Sequence, residues 1–178
     1  MVTGNPGKAA EVAAFFHGTV EIEYVSVDLP EPRSDNVSEI AREKGRYAYG
    51  LLKKPVIVDD TGLFIRSLNG FPGPFAAYVQ KTLGNPGILT LMHGISDRSA
   101  SFVTAIAYTD RAETRVFTGI LDGMIAIAPH GSHGFGYDPI FEVESQTTLA
   151  DMSLEEKSRI SHRAKALVAF RDWFVGLR

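Results

Sequence analysis

Two long runs in the middle of the chain, Ser101 to Thr109 and Thr114 to Ile127, are rich in Val, Ile, Phe and Thr. Only the polar Asp110-Arg111-Ala112-Glu113 separates them. This pattern predicts a β-hairpin, and a hairpin of this length is the largest single constraint on the fold. Upstream, Pro55 to Val58 is a short continuous apolar run of the kind that buried central strands show, and its C-terminal end delivers Asp59 and Asp60. Gly62 to Ile65 continues extended. In Val20 to Leu29, residues Val20, Ile22 and Tyr24 alternate with polar neighbours, which predicts a half-buried strand.

Helical periodicity occupies much of the rest. Ala9, Val12, Ala13 and Phe16 recur at helical spacing up to Gly18, with Asn5 as cap and Pro6 as first helical residue. Ile40, Ala41, Lys44, Tyr47, Ala48 and Leu51 trace one face of a second helix, with Ser38 as its expected cap. Short helices are expected around Phe75 to Leu83 and from Gly87 to Met92, the latter capped by Asn85-Pro86. Between Ile65 and Phe75, Gly70-Phe71-Pro72-Gly73-Pro74 reads as a loop. Ser153-x-x-Glu156 is a capping box opening a fifth helix, and a last amphipathic helix starts near Ser161. The fold class is therefore α/β, a mixed twisted sheet with flanking helices. The 178 residues, 44% of them hydrophobic, suit one globular domain spanning 1–178.

Charge and composition remove several classes of function. A net charge of −3 without a basic run argues against a nucleic-acid polymer as partner. The absence of cysteine excludes disulfides and thiolate chemistry. No apolar run reaches the ~18–20 residues a membrane span needs, and no signal pattern opens the chain. A cytoplasmic protein is expected.

Four segments carry chemistry. In Thr3-Gly4-Asn5-Pro6-Gly7-Lys8 a short turn opens into a helix, whose first N–H groups and Lys8 suit an anion. Asp59 and Asp60 close a buried strand, and because alternate strand residues point oppositely only one faces a given site. Such a carboxylate suits Mg²⁺ binding or general-base work, and Glu31 in the next loop upstream could supply a second ligand. Phe135-Gly136-Tyr137-Asp138-Pro139-Ile140-Phe141 offers aromatic faces for a flat heterocycle. Lys157-x-x-x-Ser161-His162-Arg163 concentrates two cations and an imidazole at a break between helices. Each has an ordinary alternative: a capped helix, a solvated Asp-Asp turn, a β-turn, a pair of surface helix charges. Together they are the parts of a nucleoside triphosphate site. The residues alone leave open a non-catalytic purine-nucleotide sensor and a phosphatase acting on the terminal phosphate.

The same segments, in this order, resemble the inosine triphosphate pyrophosphatase family. Thr3, Asn5 and Lys8 match its opening T/S-x-N-x-x-K, Asp59 to Leu63 its acidic D/E-D-S/T-G-L, and Gly70 to Gly73 its G-x-P-G loop. Phe135–Phe141 and Lys157–Arg163 match its F-G-Y-D-P-x-F turn and K-x-x-x-S-H-R junction. Family members usually carry a full strand before the first motif, whereas only Met1 and Val2 precede Thr3 here. The resemblance implies Mg²⁺-dependent hydrolysis of noncanonical purine triphosphates (ITP, dITP, XTP) to the monophosphate and pyrophosphate. It implies an elongated two-lobed fold with the site in the cleft between lobes, and a homodimer. Carried over by position, Asp60 is the general base and a metal ligand, with Glu31 as partner ligand and Asp59 beside them. Thr3 to Lys8, Lys44 and Lys157 hold phosphates. Thr61, Phe135, Gly136, Tyr137, Asp138, His162 and Arg163 hold the nucleoside, with Phe135 stacking and the His162-Arg163 pair reading the 6-keto oxygen.

Overall fold

The computed structural model describes residues 1–17 and 21–176. Its centre is the hairpin read from the sequence, β3 (Ser99–Thr109) and β4 (Thr114–Ile125), paired from Thr109↔Thr114 to Ser99↔Met124. On the outer side of β3 lies β1 (Val56–Ile65), antiparallel from Val56↔Thr109 to Ile65↔Ala100. Three short strands complete the sheet, β2 (Pro72–Gly73), β5 (Phe141–Glu144) and β6 (Thr147–Thr148), in the order β2-β1-β3-β4-β5-β6. All five pairings are antiparallel. The mixed character comes from one parallel bridge, Val2 to Val25, tied to β1 by the Val2 N–H donating to Ile57 O at 2.9 Å.

That bridge corrects the expected strand at 20–29. Position 20 lies outside the described residues, and the rest pairs only at Val25. Its partner segment, residues 1–3, turns at Thr3-Gly4-Asn5 into α1 (Pro6–Phe16), leaving no further backbone for a ladder. A second correction concerns β1. The carboxylate pair does not end a strand but sits in its middle, because Asp59, Asp60, Thr61 and Gly62 all keep partners on β3. In the expected loop 70–74, Pro72 and Gly73 pair with β1 as β2.

The helices flank this sheet. α2 (Val37–Leu52) is capped by Asn36, whose side chain accepts from the Ser38 N–H; Ser38, the expected cap, lies inside the helix. α3 (Ala76–Thr82) is followed by α4 (Gly84–Leu91), which starts three residues before the expected Gly87 and takes Asn85 and Pro86 into its first turn. The Ser153–Glu156 capping box opens α5 (Leu154–Ile160), and α6 (His162–Gly176) follows.

The apolar core falls into three clusters whose borders explain where the site lies. At one end of the sheet Val56, Val58, Ala105 and Ala107 pack against α2, and Ile57, Ile106 and Tyr108 pack on the opposite face against α1 and α6. At the other end Leu63, Ile65, Ala100 and Phe102 pack with α3, α4 and the chain around Ile140 and Phe141. The end clusters are interrupted by a band of polar residues, Asp59, Asp60, Thr61 and Thr104, carried by β1 and β3 where apolar packing changes partners.

Candidate active site

Adjacent strand residues face opposite sides, and Asp59 and Asp60 accordingly meet different cations. Asp59 faces α1 and α6. Its Oδ2 lies 3.1 Å from Lys8 Nζ and accepts from Arg163 Nε at 3.1 Å. Asp60 faces α2, where its Oδ1 accepts from Lys44 Nζ at 3.0 Å; the same nitrogen lies 2.8 Å from Glu31 Oε1. The electrostatic consequences diverge. Burial pushes Asp59 up, but Lys8 and Arg163 outweigh it and hold the carboxyl below its ordinary range. Burial also pushes Asp60 up, and there Lys44 and Lys8 do not compensate, so Asp60 stays above the usual aspartate value. Two neighbouring carboxylates whose environments separate their acidities are the arrangement that divides acid-base roles. Asp60 Oδ2 and Asp59 Oδ1 are buried oxygens without a hydrogen-bond partner among the described residues.

The helix start is more self-contained than the sequence implies. Asn5 Oδ1 accepts from the Gly7 and Lys8 N–H groups, and the Asn5 N–H donates to Thr3 Oγ1 at 3.1 Å. A good N-cap residue thus consumes the donors expected to face a ligand, leaving the Gly4 N–H without a partner among the described residues. Pro6 opens α1, and Gly7 has a steric role: a Cβ there would collide with the Phe135 ring.

Phe135 therefore lies against the first turn of α1. Lys157 Nζ is 4.9 Å from its ring centre and the Arg163 guanidinium 6.0 Å, so both cations border the aromatic face. The turn that carries it is pinned internally. The Phe135 N–H donates to Asp138 Oδ2 at 2.7 Å, which also accepts from Lys157 Nζ at 2.6 Å. Gly136 O accepts from Gln80 Nε2 on α3 and Asn85 Nδ2 on α4, each at 3.0 Å. Tyr137 turns away from the charged band into the apolar cluster, its hydroxyl donating to Ala76 O at 2.8 Å, and burial pushes its acidity down. Of the predicted ring-holding turn, Phe135 is thus beside the cations while Tyr137 anchors it from behind.

At the α5–α6 junction, Arg163 is 2% exposed and fully engaged. Besides Asp59, it donates from its terminal nitrogens to Glu11 Oε2 and, at 3.1 Å, to Thr61 Oγ1. His162 is buried, stacked on Phe102 at 4.7 Å, with Nδ1 2.6 Å from Thr104 Oγ1. Burial, reinforced by the positive charge of Arg163, keeps this imidazole neutral by holding it well below its ordinary range. Its helix can come this close because β4 carries Gly119 opposite Thr104; any Cβ at 119 would strike the His162 carbonyl.

Glu11, Thr104 and Phe102 were not read from the sequence. Glu11 is the only carboxylate of α1, beside the buried Val12, and it bridges Arg163 and Lys157, the latter 2.6 Å from Oε1. Its position next to the apolar stripe of a helix bearing Lys8 was an available signal. Thr104 and Phe102 carried none, since they are ordinary strand residues. With Glu11 included, the cations Lys8, Lys44, Lys157 and Arg163 face the carboxylates Glu11, Glu31, Asp59, Asp60 and Asp138, four against five. The site therefore holds no surplus positive charge of its own.

An antiparallel sheet whose middle bears paired carboxylates, ringed by a capped helix start, an aromatic turn and a cation-rich helix junction, defines an α/β protein with carboxylates of divided acidity beside an aromatic side chain bordered by cations. The chain belongs to the Ham1 family, whose model matches residues 1–173. It is 48% identical over 178 residues to a dITP/XTP pyrophosphatase of Methanopyrus kandleri, covering 98% of this chain and 94% of that protein. To a dITP/XTP pyrophosphatase of Thermococcus kodakarensis it is 45% identical, covering 97% of this chain and 95% of the relative. A solved HAM1 protein from Coxiella burnetii superimposes with a TM-score of 0.86 at 32% identity, over 98% of this chain and 96% of the other.

Proposed function

We propose that this chain is a nucleoside triphosphate pyrophosphatase that hydrolyses ITP, dITP and XTP to the monophosphate and pyrophosphate, clearing deaminated nucleotides from the pool. The observation that carries the reading is the place of Lys8: it follows Gly7, which packs against the Phe135 ring, it pairs with Asp59 at 3.1 Å, and its charge also acts on Asp60 across the strand. One cation at the start of α1 thereby stands between a ring at Phe135 and a phosphate chain near Asp60. Dedicated relatives bearing the dITP/XTP pyrophosphatase name over nearly the full length support this activity over a sensor or a terminal phosphatase.

The donor set fits Mg²⁺. That ion takes one or two carboxylates and leaves its other positions to water and substrate phosphates. Asp60 has a buried oxygen without a partner, and Glu31, whose side chain is 74% exposed, shares Lys44 with it. These two residues would hold the ion. Asp59, whose Oδ2 already serves Lys8 and Arg163, stands behind them as a fixed counter-charge. When bound, Mg²⁺ neutralises polyphosphate charge, which this charge-balanced site needs.

Asp60 orients the attacking water and takes its proton, a task favoured by acidity weakened through burial. Lys8, Lys44 and the turn at Thr3, Gly4 and Asn5 steady the phosphates. Phe135 stacks on the base with Lys157 and Asp138 fixing its turn, while His162 and Arg163, with Thr61, set the selectivity. Adenine presents an amino donor where hypoxanthine and xanthine present a keto acceptor, so donors in the pocket prefer the deaminated base. Exposed Phe71, Phe75 and Tyr78 support pairing with a second copy of the chain. Among the described residues no helix is long and apolar enough to cross a membrane.

Chromatography of the products from ITP, XTP, ATP and GTP, with and without Mg²⁺, tests the proposal. Monophosphate and pyrophosphate from ITP and XTP, dependent on the metal, are expected. Diphosphate and orthophosphate would instead establish the terminal phosphatase, and intact nucleotide the sensor.

A further inference from the structure

A chain of hydroxyls links Arg163 to His162 through β1 and β3. Arg163 donates to Thr61 Oγ1 at 3.1 Å, Thr61 Oγ1 lies 2.7 Å from Thr104 Oγ1, and Thr104 Oγ1 lies 2.6 Å from His162 Nδ1. We propose that this chain makes Thr104 a positioning residue, one that fixes His162 as the tautomer with its proton on Nε2, a donor toward the purine. The proposal rests on the reading of the site as one for deaminated purines and adds a residue to it.

The direction of the chain follows from counting protons. Guanidinium can only donate, so Thr61 Oγ1 accepts from Arg163. Thr61 has one proton of its own, and among the described residues Thr104 Oγ1 is its only acceptor. Thr104, having accepted, passes its single proton to His162 Nδ1. A ring nitrogen that accepts bears no hydrogen, and a neutral imidazole then carries it on Nε2. Run in reverse, from an Nδ1–H through Thr104 to Thr61, the network leaves the Thr61 proton with no acceptor among the described residues. A network that satisfies every member within the protein is the favoured one, most strongly at its buried end, Thr104 and His162. Nε2 has no protein partner among the described residues.

The consequence is polarity. An Nε2–H donates to a keto oxygen and leaves an amino group facing another donor, the discrimination that a fixed hydrogen-bonding site enforces. The opposite tautomer would present an acceptor and favour adenine. Thr104 therefore acts on selectivity without touching the nucleotide.

The test is nitrogen-15 NMR of the nucleotide-free protein labelled at histidine, with the His162 signals assigned by their loss in His162→Gln. The wild type and Thr104→Ser, which keeps the hydroxyl, should both show the proton on Nε2. Thr104→Val, which keeps the shape and removes the relay, should show a mixture, and its ratio of kcat/KM for ITP over ATP should fall roughly tenfold, with Thr104→Ser restoring it. Protonation at Nδ1 in the wild type would overturn the proposal, and this spectrum decides even should Thr104→Val not fold. An unchanged tautomer and an unchanged ratio in Thr104→Val would overturn it equally. A wild type that treats ITP and ATP alike would instead defeat the functional reading, because the tautomer is read without any nucleotide.

Discussion

The two faces of β1 are built from the same residue type and do opposite things. On the α1/α6 face, Asp59 is enclosed by Lys8 and Arg163, which hold its pKa below the ordinary aspartate value, a carboxylate that stays ionised. On the α2 face, Asp60 has Lys44 and the exposed Glu31, and burial there raises its pKa above the ordinary aspartate value. Strand alternation alone separates them by one residue and by side of the sheet. The contrast teaches that a carboxylate can be spent on architecture or kept for chemistry according to how many cations close around it.

The largest effect that would break this contrast belongs to the chemical face. Asp60→Asn removes the proposed base while keeping shape, and pyrophosphate release from ITP with Mg²⁺ should fall by ~10⁴-fold, about 5 kcal/mol in the barrier. Turnover close to wild type would move the base elsewhere. Next comes the architectural face. Asp59→Asn leaves Arg163 and Lys8 without their counter-charge, and because breaking a buried ion pair strands its partner, urea denaturation should show a loss of about 3 kcal/mol. A loss under 1 kcal/mol would mean that Glu11 alone holds Arg163.

Much of this layout was legible beforehand, and what was missed has physical reasons. The hairpin, the Asn5-Pro6 helix start and the Ser153–Glu156 box are local patterns, and local patterns survived folding. The position of Asp59-Asp60 within β1 was misread because the continuous apolar run stops at Val58, whereas pairing of Asp59, Asp60, Thr61 and Gly62 to β3 carries the strand on through polar residues. The 20–29 strand failed for the opposite reason: its alternation is real, but pairing there is confined to the Val2–Val25 bridge. Glu11 illustrates the limit for the site, since nothing local says that a helix carboxylate will reach Lys157 and Arg163 roughly 150 positions along the chain.

Smaller effects sharpen the contrast further along the surface. Phe135→Ala should weaken ITP binding by ~1–3 kcal/mol through lost stacking, measured by titration in Ca²⁺ or with a non-hydrolysable analogue. Unchanged affinity would place the base away from the α1 face. The smallest effect is one of pH. His162 is held well below its ordinary value of 6.5, so below that pH the unfolded chain binds a proton that the folded chain refuses. Stability should then drop as pH falls from about 6.5 toward 5, by at most ~1.4 kcal/mol per unit. In His162→Gln that slope should flatten; a slope equal to the wild type's would show that His162 is protonated in the folded protein.

The division of labour along β1 is tested most directly by the unfolding free energy of Asp60→Asn at pH 7 in the absence of metal. An ionised Asp60 is disfavoured by its surroundings relative to water, so replacing it should leave stability within about 1 kcal/mol of wild type or raise it, in a protein that no longer turns over ITP. A destabilisation as deep as that of Asp59→Asn would show that both carboxylates are structural and would contradict the account.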